Sequence, residues 1–276
     1  MLELDSLKQT RIAVLGGGKI GEAVARSLAK SSMISEVIVT KRNVSTLESF
    51  AKERENVEIL SDNKRAAKKA DLIIVAVKAG DAKQVLHEIS EYSHRKIVIS
   101  LMAAISIKTL QKALPQAKIV RAMPNIAATI GEAMTAYSYG ERLNKGDLEQ
   151  VEQVLGSFGD YIEVPESLMD AVTAISGSGP AYIAMLIESM VSAGLKVGMP
   201  RDIAFRLATK TLSGTANMLS KNKIHPAELR DTVTTPAGTT IAGLYELEKG
   251  SFRTSIMNAV EAATLAAEKV AKKFED

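Results

Sequence analysis

Cysteine is absent from all 276 residues, which excludes disulfides, thiol catalysis and cysteine-ligated metals. Only three histidines occur, His87, His94 and His225, too few for a histidine-built metal centre, so no metal is expected. Neither sign of charge dominates. Thirty-five Lys and Arg against 32 Asp and Glu leave a net +3, which gives no electrostatic footprint for nucleic acid or a membrane surface. No uninterrupted apolar run reaches the roughly 18 residues of a membrane span. The opening segment MLELDSLKQTR carries acids and no long apolar stretch, so it does not read as a secretory signal and a cytoplasmic protein is expected. What is present, 46% hydrophobic and 24% charged residues, is ordinary globular composition and excludes intrinsic disorder. At roughly 150 residues per domain, the length allows one or two domains.

The first 165 residues alternate short β-branched runs with polar or amphipathic stretches. Strands are expected at Arg11–Leu15, Glu36–Thr40, Val57–Leu60, Leu72–Val77, Ile97–Leu101, Lys118–Ala122, Met134–Tyr139 and Tyr161–Val164. LIIVAV and IVISL are nearly continuous apolar runs, as in strands covered by helices on both faces. Helices are expected at Gly21–Lys30, Val44–Arg54 and Asp81–Glu91, and this alternation marks βαβ units around a parallel sheet. From about Ser167 the pattern changes to Ala-, Leu-, Met- and Glu-rich segments with no strand. Pro180 and Pro226 stand where helices can begin, Gly250 where one can end, and Ser251 where a last helix to about Phe274 can be capped. The expected class is therefore α/β: a doubly wound dinucleotide-binding sheet over residues 1–166, then an all-α domain over 167–276. The helices Ala181–Val197 and Phe252–Phe274 are apolar on more than one face, for example at Ile183, Leu186, Ile187, Met190 and Val191. Such helices need partners on several sides, from a second copy of the chain or within a compact monomeric bundle.

Gly16-Gly17-Gly18-Lys19-Ile20-Gly21 places GxGxxG directly after a strand and at a helix start. Gly16 permits the tight turn, Gly18 lets a pyrophosphate approach the backbone, and Gly21 lets helix and strand pack closely, with helix N–H groups facing the phosphates. An NAD site commonly has an acid at the end of the second strand. Here the residues are Thr40-Lys41-Arg42-Asn43, and Lys41 or Arg42 could pair with a 2′-phosphate, which favours NADP(H) while leaving NAD(H) possible. Asn63 and Val75-Ala76-Val77-Lys78 lie near the ends of later strands, where such sheets bind ligands. Lys78 could face a phosphate or ribose, or only solvent.

Two further segments carry chemistry. Ser176-Gly177-Ser178-Gly179-Pro180-Ala181-Tyr182 puts small residues before a helix, allowing close approach of backbone or a ring. Val233-Thr234-Thr235-Pro236-Ala237-Gly238-Thr239-Thr240 offers hydroxyls and N–H groups that could hold a small carboxylate without arginine. Taken singly, each also reads as a helix cap.

SGSGPAY, VTTPAGTTIAGLYELE and VRAMPN, after GGGKIG, resemble pyrroline-5-carboxylate reductases along essentially the whole chain. The first two segments are specific to that family; the glycine motif is not. The resemblance implies NAD(P)H-dependent reduction of 1-pyrroline-5-carboxylate to L-proline, a helical dimerisation domain, and homodimers that often assemble into decamers. It also implies site residues. Gly16, Gly18, Lys19, Ile20 and Gly21 match the pyrophosphate loop, Asn63, Ala76 and Lys78 the cofactor-contacting region, and Met123, Pro124 and Asn125 the segment beside the nicotinamide. Val233, Thr235, Gly238, Thr239 and Thr240 match the substrate loop, with Thr240 hydrogen-bonding the ring nitrogen and the Gly238 and Thr239 N–H groups holding the carboxylate. Glu166 matches an acidic residue near the substrate pocket. The chain departs from the family pattern at Ala79, Ile126, Ala127, Ala237 and Lys223. A methyl at Ala237 restricts any positive φ there, and Lys223 replaces an acid proposed as proton donor in some members.

Rival readings fare less well. A hydroxy-acid dehydrogenase needs a base, and the lysine position of the β-hydroxyacid pattern, counted from Gly179, is Ile183. A non-catalytic nucleotide sensor would not need the intact TTPAGTT loop. Reduction of another cyclic imine is the closest variation.

Overall fold

A computed structural model describes residues 9–274 of the chain. They form two compact units: one holds the residues up to Ser178 and those from Ala263 onward, the other Gly179–Ala262. The sequence change near residue 166 thus precedes the division by packing at Ser178. Between them, Met169 and Ala174 are buried in the first unit.

The first unit is built on an eight-stranded sheet: β1 Thr10–Leu15, β2 Ile34–Thr40, β3 Val57–Leu60, β4 Leu72–Val75, β5 Ile97–Ser100, β6 Lys118–Met123, β7 Ala133–Tyr139 and β8 Gly159–Glu163. Their spatial order is 3-2-1-4-5-6-7-8, a doubly wound plan with the connection reversing beside β1. All pairs are parallel except β6–β7. Side chains alternate between two cores, as strand geometry demands. Ile12, Val14, Ile74 and Ile99 face one, and Ala13, Leu15, Ile73, Val75 and Val98 the other. Burying each larger aliphatic side chain contributes about 1.5–3 kcal/mol, so the central strands anchor the unit.

The sheet is covered by α1 Lys19–Leu28, α2 Glu48–Glu53, α3 Asn63–Lys69, α4 Ala82–Ile89, α5 Ile107–Ala113 and α6 Lys145–Gly156, with a short α7 Met169–Val172 after β8. The helix expected at Val44–Arg54 is a 3-10 turn, Val44–Leu47, capped by the Asn43 side chain, followed by α2. The strand expected to reach Val77 stops at Val75, because Ala76 and Val77 lie under the glycine loop. A Cβ on Gly16, whose φ is +103°, would stand 2.7 Å from Val77 Cγ1.

The second unit contains α8 Gly179–Lys196, α9 Arg201–Asn222, α10 Pro226–Thr232, α11 Thr239–Lys249 and the beginning of α12 Phe252–Ala271. Pro226 opens α10, and His225 caps it by accepting from Ala227 N–H through Nδ1 at 3.2 Å. Gly194 lets α8 and α9 meet closely, since a Cβ there would lie 2.8 Å from Ala204 Cβ. The only buried residues of this unit are Val191, Ala204 and Ala208, while Ile183, Met185, Phe205, Leu207, Tyr245 and Met257 are exposed. The apolar excess read from the helices is therefore not covered within this unit.

Candidate active site

Each glycine of the nucleotide motif has a distinct physical role. A Cβ on Gly21 would overlap the Gly16 carbonyl oxygen and lie 3.1 Å from Ala76 Cβ, so glycine alone permits this helix–strand approach. Gly18 meets nothing within 4 Å and opens to free space. It is also the N-cap of α1, with no side-chain cap. Its own N–H is donated to Gly16 O at 2.9 Å, and Glu22 N–H closes the first helical bond to Gly18 O at 2.8 Å. The N–H groups of Lys19, Ile20 and Gly21 are thus the orphan donors of the helix start, and they favour an anion. An open cradle at Gly18 beneath three such donors fits a dinucleotide pyrophosphate.

The loop is held from β2. Gly16 and Gly17 N–H both donate to Thr40 O, at 3.2 and 2.7 Å, and Gly16 N–H also reaches Thr40 Oγ1 at 3.2 Å. Thr40 Oγ1–H in turn donates to Asn63 Oδ1 at 2.6 Å, and Asn63 Nδ2 donates to Glu88 Oε2 at 2.8 Å. Asn63 thus links Thr40 to Glu88, which ties the loop-supporting Thr40 to α4. Thr40 and Glu88 were not singled out from the sequence. The signal available was Thr40, buried at the strand end where an acid is common. Arg42 pairs with Asp81 at 2.7 Å, Lys41 is half-buried and Lys78 is exposed.

Two motifs far apart in sequence meet at the end of β6. Gly177 passes so close to Met123 that a Cβ would lie 2.9 Å from Met123 Cε. Asn125 Nδ2 donates to Ser176 Oγ at 3.3 Å, and Ser176 Oγ–H to Met134 O at 3.3 Å. Thr173–Gly177 is a π-helical turn, a distortion frequent at functional sites. Gly177 thus brings backbone against Met123, and Ser176 is tied to Asn125.

Glu166 is engaged by the protein. Its Oε1 accepts from Ile107 N–H at 2.7 Å and from Arg121 Nη1 at 3.1 Å, and Arg121 also lies 3.7 Å from Asp170. It lines a cavity of about 550 Å³ together with Glu141 and Glu163, a setting that repels a carboxylate. Through Oε1 it holds the start of α5 and the buried Arg121 guanidinium.

In the second unit, Val233 follows α10 and is exposed, and Thr235, Gly238, Thr239 and Thr240 surround the start of α11. Ala237 adopts φ +56°, so the loop takes the left-handed turn despite the methyl. A Cβ on Gly238 would overlap Thr235 Oγ1, which explains glycine there. The Gly238 N–H expected to hold a carboxylate is instead donated to Thr235 O at 3.1 Å. The first bond of α11 runs from Ala242 N–H to Gly238 O at 3.4 Å, and no side chain caps the helix. This leaves Thr239, Thr240 and Ile241 N–H as the orphan donors. Lys223, another of the departures, ends α9 at φ +51°.

Away from these sites, Arg11 beside Asp71 holds its carboxyl below the usual carboxylate range, and burial raises the Tyr137 hydroxyl, which donates to Glu152 Oε1 at 2.6 Å. Among the described residues, no cluster of His, Asp or Glu could hold a metal ion, and no helix is long and apolar enough to cross a membrane.

A glycine turn with open helix-start N–H groups on a 3-2-1-4-5-6-7-8 sheet, followed by a helical unit, is the plan of a dinucleotide-dependent oxidoreductase. Residues 166–270 match the family model for pyrroline-5-carboxylate reductase dimerisation, and residues 11–104 match that for NADP oxidoreductase, coenzyme F420-dependent. Pyrroline-5-carboxylate reductase of Synechocystis is 38% identical over 264 residues, covering 95% of this chain and 99% of that protein. The one from Arabidopsis thaliana is 38% identical, covering 92% of each. Among solved structures, the Plasmodium falciparum pyrroline carboxylate reductase with NADP bound has a TM-score of 0.87 and 32% identity, with 96% of this chain and 99% of that one covered. The chain belongs to the pyrroline-5-carboxylate reductase family.

Proposed function

We propose that the protein reduces the C=N bond of 1-pyrroline-5-carboxylate with NADPH, NADH being the alternative donor, to give L-proline, the last step of proline biosynthesis. The observation that carries this reading is the uncapped start of α11. Three orphan N–H groups and the hydroxyl residues Thr235, Thr239 and Thr240 lie within one short segment that contains no arginine or lysine, as suits one carboxylate and one ring nitrogen.

The residues that would hold the cofactor are Gly16, Gly18, Lys19, Ile20 and Gly21 at the pyrophosphate, Lys41, Arg42, Ala76 and Lys78 around the adenosine half, and Met123, Pro124 and Asn125 beside the nicotinamide. Asn63 acts behind the loop. When bound, the cofactor supplies a hydride from nicotinamide C4 to the imine carbon. Thr239, Thr240 and Ile241 N–H hold the substrate carboxylate, Val233 supplies apolar contact, and the Thr240 hydroxyl orients the ring nitrogen. An imine protonated at nitrogen is already a good hydride acceptor, so positioning is the protein's main task. The proton comes with the iminium substrate, and no side-chain acid is required; this accommodates Lys223.

A homodimer through the helical domain, residues 167–276 beside a dinucleotide-binding domain of 1–166, accounts for the exposed apolar side chains of α8 and α9. A decamer of such dimers is the larger assembly we assign. A cytoplasmic location is part of the same reading.

The test is loss of NADPH absorbance with 1-pyrroline-5-carboxylate, run beside NADH and the six-membered cyclic imine. Rapid turnover of the five-membered ring is expected. NADPH binding without turnover of either imine would refute the assignment.

A further inference from the structure

The end of β2 lacks the carboxylate that commonly holds an adenosine ribose, but one reaches this place from another strand. Asp81 ends the 3-10 turn Ala79–Asp81 after Lys78 and occupies the N-cap position of α4 without capping it. Its Oδ1 instead accepts from Arg42 Nη2 at 2.7 Å. Leu15 is in register with Thr40 on one side and Val75 on the other, so the three loops leave the sheet at one level. The Arg42–Asp81 pair joins the two outer loops and spans the glycine loop between them. The adenosine half of a dinucleotide belongs there when its pyrophosphate sits at the start of α1. Arg42 keeps 85% of its side-chain exposure and Asp81 37%, so neither is locked by burial and a competing charge can separate them.

We propose that Arg42 and Asp81 form a two-way selector for the adenosine ribose, with Asp81 a specificity-determining residue. This rests on the reading of the glycine loop as a dinucleotide site. A 2′-phosphate takes Arg42 from Asp81 in charge-assisted hydrogen bonds, and the displaced carboxylate then opposes it as a like charge. A free 2′-hydroxyl donates to Asp81, which keeps its bond to Arg42. The same two residues thus admit both coenzymes, and Asp81 restrains the preference for the phosphorylated one that Lys41 and Arg42 would otherwise set.

The experiment is calorimetric titration of the full chain and its Asp81→Asn, Asp81→Glu and Arg42→Ala variants. The probes are adenosine 2′,5′-bisphosphate, adenosine 5′-monophosphate, NADPH and NADH, none of which requires turnover. Asp81→Asn should bind the bisphosphate and NADPH about two- to fivefold more tightly, the scale of an exposed charge contact. It should bind the monophosphate and NADH more weakly. Asp81→Glu should restore the original ratio, and Arg42→Ala should weaken the bisphosphate and NADPH but neither the monophosphate nor NADH. Equal changes for both nucleotide classes in Asp81→Asn, or none, would overturn the selector while leaving dinucleotide binding intact. Failure of the unsubstituted protein to bind either coenzyme would overturn both.

Discussion

Replacing Ala237 by glycine should make the protein more stable, against the usual direction for an Ala→Gly change. Ala237 holds φ +56° in the turn that leads into α11. An L-residue in this region costs about 1–2 kcal/mol, which glycine does not incur. Against that gain stands the greater freedom of a glycine in the unfolded chain, about 0.4–1 kcal/mol. The Ala237 side chain is exposed, so little burial is lost with the methyl. The balance favours glycine by about 0.5–1 kcal/mol. At roughly 2–4 °C per kcal/mol for a chain of this size, Tm rises by about 1–4 °C. The assay is differential scanning calorimetry at one fixed protein concentration, with Ala262→Gly as the opposite control. Ala262 is exposed inside α12, where glycine costs about 1 kcal/mol, so that variant should melt lower. Ser251, also at φ +56°, should respond like Ala237. If Ala237→Gly melts below the unsubstituted protein alongside Ala262→Gly, the left-handed turn carries no strain and the reasoning fails.

The two glycines of the nucleotide turn should separate binding from folding. Gly18→Ala, with open space around its Cβ, should melt within about 1 kcal/mol of the parent yet lose NADPH affinity in fluorescence titration. Gly21→Ala, whose Cβ overlaps the Gly16 carbonyl, should cost about 1–3 kcal/mol of stability; identical behaviour of the two would refute their assigned roles. Thr240→Ala should lower kcat about 10- to 100-fold, the loss of a hydrogen bond to a charged nitrogen, with NADPH Kd unchanged; an unaltered kcat removes Thr240 from the mechanism. Asp71, accepting from Arg11 Nε, Nη2 and backbone N, has its carboxyl lowered in the fold, so its stabilisation is complete above the unfolded value of about 3.9 and fades as pH falls through the folded one. Asp71→Asn should therefore lose about 0.5–1 kcal/mol near neutrality, discounted for its exposure, and the gap to the parent should close in urea melts run at progressively more acidic pH. A gap that persists in acid would count against the pair.

Much of this architecture is legible in the sequence because one physical signal dominates it. LIIV and IVIS are apolar without interruption, and both strands are buried on both faces. The same signal overruns at Ala76 and Val77, which are apolar because they support the glycine turn, a tertiary reason no periodicity contains. Helix α3, NKRAAKK, was missed since Ala66 and Ala67 are its only buried residues. Its start was marked by Asp62, which caps Lys64 and Arg65 N–H. Helix α6 carried a fuller signature, an Asn144–Asp147 capping box before Val151, Val154 and Leu155. The reversed direction of β7 has no local signal, since pairing direction is set by what the connections allow. At the site, the glycine roles and the conflict at Ala237 could be read from residue type alone. The commitment of Asn63 to Thr40 and of Glu166 to Arg121 could not, because each depends on a partner brought from a distant strand.

The sparse interior of the helical unit has a consequence for how its stability should be described. A core cluster of Val191, Ala204 and Ala208, small residues for the most part, leaves most of the unit's hydrophobic stabilisation to whatever covers Ile183, Met185, Phe205 and Leu207. If a second protomer covers them, folding and association become one equilibrium, and mass action enters the unfolding free energy directly. Dilution then acts on the unit as a denaturant does, and its melting temperature falls with each decrease in protomer concentration.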